Sequence, residues 1–72
     1  AEFETVKAGA PMKMPTAVTV TLDTDLEGTI HIYRYDEDTS KLTYVTSVLV
    51  DDSEITFTTM WLGHFLLTNE KL

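Results

Sequence analysis

Apolar and polar residues alternate with a period of two along most of this chain, and no 3.6-residue apolar stripe lasts long enough to make a helix. The cleanest run is Ala17-Val18-Thr19-Val20-Thr21-Leu22. In an extended chain it places Val18, Val20 and Leu22 on one face and hydroxyl residues on the other. Thirteen Thr, six Val, three Ile and seven aromatics strengthen the reading, because β-branched and aromatic side chains suit a pleated, half-buried surface. The sequence therefore predicts an all-β fold.

Further strands are expected at Phe3–Lys7, Met12–Met14, Thr29–Tyr35, Lys41–Val50, Glu54–Thr59 and His64–Thr68. The breaks fall where turn chemistry would put them. Ala8-Gly9-Ala10-Pro11 and Pro15 interrupt the first fifteen residues, which read as an edge strand or a linker. Asp23-Thr24-Asp25-Leu26-Glu27-Gly28, Asp36-Glu37-Asp38-Thr39-Ser40 and Asp51-Asp52-Ser53 read as turns. Lys41–Val50 carries apolar residues on both faces, as expected of a central strand or one that changes face at a bulge. Asn69–Leu72 reads as a tail. The expected architecture is a small antiparallel β-sandwich or half-open barrel of five to seven short strands. Its core is expected to hold Val18, Val20, Leu22, Ile30, Ile32, Leu42, Tyr44, Val48, Ile55, Phe57, Phe65 and Leu67.

Composition narrows the setting. Seventy-two residues make one domain over 1–72, too small for a Rossmann domain or a TIM barrel. Such a chain has about 3–5 kcal/mol to draw from one core. With no cysteine there is neither a disulfide framework nor a thiolate metal site. A tightly packed core, an adjacent module or a second copy must compensate. The net charge of −7 argues against gripping a phosphate backbone, so no nucleic-acid partner is expected. No apolar run reaches eighteen residues, so no membrane span is expected. Ala1 at the first position, rather than Met, reads as a processed or excised segment, and no signal peptide is visible in this stretch.

Nine of the twelve acids lie in three short segments, Asp23/Asp25/Glu27, Asp36/Glu37/Asp38 and Asp51/Asp52/Glu54, in or beside the turns. Acidic turns between nearly neutral strands keep a β-meander in solution. Ca²⁺ at Asp36, Glu37 and Asp38, with Asp51 and Asp52 nearby, is the cofactor alternative. It lacks the spacing of an EF-hand loop, so solvated turns with no cofactor are expected. His31 and His64 are too few for zinc, which wants four ligands. There is no nucleophile elbow and no phosphate loop, so the chain is not expected to be an enzyme.

The candidate interaction residues are Tyr33, Tyr35, Met60, Trp61 and Leu62. Tyr33 and Tyr35 fall on one strand face about 7 Å apart and, with Trp61, could stack against a sugar. The commoner role of such rings is core or protein interface.

From about Val18 onward the chain resembles a small β-module found near the C-terminal ends of multi-modular surface and secreted proteins of Firmicutes, cellulosomal or wall-anchored. The residues that carry the resemblance are Ile30-His31-Ile32-Tyr33-Arg34-Tyr35-Asp36, Lys41-Leu42-Thr43-Tyr44-Val45, Val50–Thr59 and His64-Phe65-Leu66-Leu67-Thr68. It departs from the family at Met60-Trp61-Leu62-Gly63, where the family has a polar corner. The resemblance implies an extracellular or cell-surface accessory module without catalytic residues. Such a module stabilises, spaces or presents a neighbour such as a dockerin or an anchor. A carbohydrate-binding module is the alternative.

Overall fold

A computed structural model describes residues 2–72. Four strands form one antiparallel sheet: β1 (Phe3–Asp23), β2 (Thr29–Asp36), β3 (Lys41–Leu49) and β4 (Glu54–Thr68). Their order is β1-β4-β2-β3. The fold is all-β, with four strands in place of the five to seven read from the sequence. The difference lies in two fusions. Three short segments expected before residue 23 are one strand of 21 residues, and the segments on either side of Met60–Gly63 are one strand of 15. Prolines are compatible with this because β1 is an edge strand, where a missing N–H faces no partner.

The long pair β1/β4 is bent. Phe3–Ala8 pairs with Gly63–Thr68, and Val18–Asp23 pairs with Glu54–Thr59. Between these blocks, Ala8 to Val18 spans ten residue steps of β1 while Gly63 to Thr59 spans four of β4, with register breaks at Ala8/Met12 and Lys13/Val18. Extra residues on one strand of a pair kink it, as β-bulges do. The bend has a direct consequence in the core. Phe57 and Phe65 are eight positions apart on β4, yet their rings meet edge-to-face with centroids 5.4 Å apart. A straight strand would separate them by roughly 26 Å. The corner folds the first half of β4 over the second.

The core is Leu26, Ile30, Ile32, Ile55, Phe57, Phe65 and Leu67, with Val6, Ala8, Val20, Leu22, Val45, Val48 and Val50 packed half-buried against it. Every odd residue of β4 from Ile55 to Leu67 is buried except Trp61. Three residues expected in the core are not in it: Val18 is half-buried beside the break in register but outside the cluster, and Leu42 and Tyr44 are 46% and 40% exposed. For Leu42 and Tyr44 the cause is a bulge. Ile32 pairs with Thr46 and Tyr33 with Tyr44, so Val45 is an extra residue and the alternation of β3 changes face there. Thr46 and Val48 face inward beside Ile32 and Ile30; Tyr44 and Leu42 face outward beside Tyr33 and Tyr35. β3 is thus an edge strand that switches faces, not a central one.

Leu26 was expected in a turn and is buried. The Thr24 hydroxyl accepts the Leu26 N–H (3.0 Å) and donates to the Glu4 carboxylate. This local bond turns the loop inward and carries Leu26 into the core.

The link from β3 to β4 is a tight turn. Asp51 and Glu54 exchange both backbone hydrogen bonds, at 2.9 and 3.0 Å, and the two residues between them, Asp52 and Ser53, have φ of 53° and 61°. A left-handed conformation costs a residue with a Cβ about 1–2 kcal/mol that glycine avoids. After the entropy glycine adds to the unfolded chain, Ser53→Gly should raise stability by about 0.5–1 kcal/mol, read as a higher urea midpoint at unchanged slope.

Candidate functional site

The bend exposes what the rest of the inner face hides. Trp61 sits at the corner of β4, opposite Lys13 on β1. Its backbone is held by Thr59, a buried residue whose hydroxyl accepts the Trp61 N–H (3.0 Å) and donates to the Trp61 carbonyl (2.9 Å). One Thr side chain thus satisfies both backbone groups of a residue at the break in register and holds the backbone from which the indole projects.

The indole is 41% exposed. The Arg34 guanidinium lies over its ring at 4.5 Å from the centroid, and Lys13 Nζ approaches to 5.9 Å. Arg34 reaches it because β2 pairs Arg34 with Phe65, which places Arg34 on the core-side face just beyond the last buried ring. Arginine over an indole is a cation–π contact of about 0.5–1 kcal/mol at an exposed site.

Together with Pro11, Met12, Tyr35 and Leu62, Trp61 and Arg34 line a cleft of about 280 Å³ whose far wall is the acidic turn Asp36-Glu37-Asp38. Drug-sized ligand pockets run roughly 300–1,000 Å³, so this cleft suits a side chain or two of a partner better than an enclosed small molecule. Met60 lies outside the cleft, 40% exposed beside Trp61.

The acidic wall is a turn before it is a ligand set. The Asp36 carboxylate accepts the N–H of Asp38 (3.0 Å) and of Thr39 (3.4 Å). Glu37 pairs with His64 Nε2 at 2.8 Å, both partners well exposed. Among the described residues, no group of three or more His, Asp or Glu side chains is arranged to hold a metal ion.

The structure divides the expected aromatic platform. Trp61 and Arg34 are on the core-side face; Tyr33 is on the opposite face. Tyr33 is only 6% exposed. Tyr44 packs edge-to-face against it with centroids 5.2 Å apart, and the Tyr33 hydroxyl accepts the N–H of Leu72 at 2.8 Å. Lys71 Nζ lies 4.8 Å from the Tyr44 ring. The last residues, expected as a free tail, thus cover the tyrosine face and remove Tyr33 from it. Tyr35 remains exposed and borders both the cleft and an apolar patch with Leu42, His64 and Leu66. Arg34 and Met12 are site residues that sequence reasoning missed. A lone cation within a β-run gives no sign that it will stack on a ring some 27 positions away. Among the described residues, no helix is long and apolar enough to cross a membrane.

Compared with protein-family models, curated proteins and solved structures, the chain matches none of them.

Proposed function

We propose that this chain is a non-catalytic accessory module of an extracellular or cell-surface protein. It stabilises or presents an adjacent protein module through the cleft at Trp61. The observation that carries the reading is the state of the indole. It is exposed, carried on a backbone anchored by Thr59 and paired with an arginine. Trp, Tyr and Arg are the residues in which interface energy concentrates. Met60, Leu62 and Met12 supply adaptable apolar surface around it. A domain this small gains most from a neighbour, because its own core leaves little reserve. The resemblance read from Val18 onward suggests the setting, and the open, bent sheet leaves the corner free for a neighbour.

The carbohydrate alternative is weaker. Sugar stacking needs a bare ring face, and here Arg34 occupies one face of the indole. Tyr33, the second member of such a platform, is covered.

The test is retention of the chain on the modules that adjoin it in its parent protein and, separately, on insoluble polysaccharides. Binding to a module should fall about tenfold or more in Trp61→Ala, the loss of a residue worth above about 1.4 kcal/mol, with little change in thermal unfolding. Arg34→Ala should weaken it less. Retention on polysaccharide that is lost in Trp61→Ala would replace this reading with the carbohydrate-binding one.

A further inference from the structure

The two outer edges of the sheet differ in a way that the cleft does not explain. An edge strand presents unpaired backbone N–H and C=O groups, and natural proteins blunt such edges with proline, charge, bulges and short length. β1 is heavily blunted. It carries Pro11 and Pro15, the charged residues Glu4, Lys7, Lys13 and Asp23, and two register breaks. β3 is not. Its nine residues, Lys-Leu-Thr-Tyr-Val-Thr-Ser-Val-Leu, include no Pro, Gly, Asp or Glu, and only Lys41 is charged. The bulge at Val45 is its one irregularity. Among the described residues, nothing pairs with its outer side. Leu42, Tyr44 and Leu49 stand exposed along it, Leu49 at 72%.

Charge at the two ends of this edge selects the occupant. The turn before β3 holds Asp36, Glu37 and Asp38, and the turn after it holds Asp51 and Asp52. A second copy pairing antiparallel through β3 would bring the acidic turn at one end against the acidic turn at the other end of its partner, twice. Like charges set side by side across an interface cost several kcal/mol. A segment with basic residues at both ends meets the opposite field.

We propose that β3 is a strand-addition site. It takes an extended segment of another protein whose centre alternates β-branched or hydroxyl residues and whose two ends are basic. Backbone hydrogen bonds to the open side of β3 supply affinity, and the two acidic turns fix its placement. This contact shares the turn Asp36-Glu37-Asp38 with the Trp61 cleft but uses neither Trp61 nor Arg34, so loss of the indole tests the cleft alone.

The probe is a synthetic peptide of about ten residues, matched to the edge, with alternating Thr and Val in the centre and two Lys at each end. The readout is amide hydrogen exchange of the intact 72-residue chain, resolved residue by residue. Exchange should slow at alternate amides of Lys41–Leu49, with the alternation changing phase at the Val45 bulge, and be unchanged along β1. The same peptide with Glu at its ends should bind about tenfold or more weaker at low salt, a difference of at least 1.4 kcal/mol. The Lys-ended peptide N-methylated throughout its centre keeps its charge and loses its donors, and it should give no protection. Trp61→Ala should leave the peptide response intact, which separates this site from the cleft. The proposal is overturned by equal binding of the N-methylated peptide, which would mean simple charge attraction. Protection at Glu54–Thr59 instead of β3, or a dimer of the free chain sealed through β3 at low salt, would overturn it too.

Discussion

Gly63→Ala should cost about 2–4 kcal/mol, close to everything a 72-residue core can supply, and leave much of the chain unfolded at room temperature. Two effects add. Gly63 has a φ of 127°, a backbone conformation that residues with a Cβ rarely adopt, worth about 1–3 kcal/mol of strain. The new Cβ would also sit 3.1 Å from the Cα of Pro11 and 3.3 Å from its Cβ. Neither neighbour can swing aside, because both belong to the backbone and ring of a proline at the register break. Gly9→Ala is the matched comparison. It too has positive φ, at 74°, but its Cβ would meet the Cδ1 of Leu62, the end of a side chain that can turn. Its expected cost is nearer to about 1 kcal/mol. Urea unfolding followed by far-ultraviolet circular dichroism separates the two. A Gly63→Ala variant no less stable than Gly9→Ala would mean that β1 and β4 do not pack this closely at the corner.

That corner is also where the sequence is hardest to read. The strict alternation of Val18, Val20 and Leu22, and of Ile55 and Phe57, is visible because each run is half-buried on one face. Those segments, and the Asp-rich turns between them, were legible. A bulge is not. Val45 shifts the phase of β3 by one residue, and a one-residue slip moves every later side chain to the other face. Hence Leu42 and Tyr44 look like core in sequence and stand outside in the structure. The continuity of β1 through Pro11 and Pro15 is hidden for a related reason. Proline removes a donor that only a central strand needs, and position in the sheet is not a local property.

The site follows the same division. Met60-Trp61-Leu62 stood out because it is apolar where the family that the chain resembles has a polar corner. Its partners came from elsewhere: Arg34 from β2 and Met12 from β1. Tyr33 and Tyr35 read as a pair from their spacing. The alternation could not say that residues 71 and 72 would fold back over Tyr44 and Tyr33.

The second large effect concerns the ring pair that the bend brings together. Phe65 is 1% exposed and Phe57 4%. Truncating either to alanine should cost about 3–5 kcal/mol, through lost burial and the cavity left behind, enough to unfold a chain of this reserve. Those variants should give collapsed amide dispersion in NMR spectra, and they show only that the core matters. The sharper measurement uses Phe57→Leu, Phe65→Leu and the double variant, which keep the core apolar and the chain folded. Rings that meet edge-to-face 5.4 Å apart contribute about 0.5–1.5 kcal/mol beyond their buried area. The double variant should therefore lose less than the sum of the single losses, by a coupling of that size. Residues eight apart on a straight strand do not touch and would give none. Coupling in the expected range would fix the fold of β4 at Trp61, and with it the geometry that brings Arg34 onto the indole. Additive losses would straighten β4, separate Arg34 from Trp61 and dissolve the cleft on which the proposed interface rests.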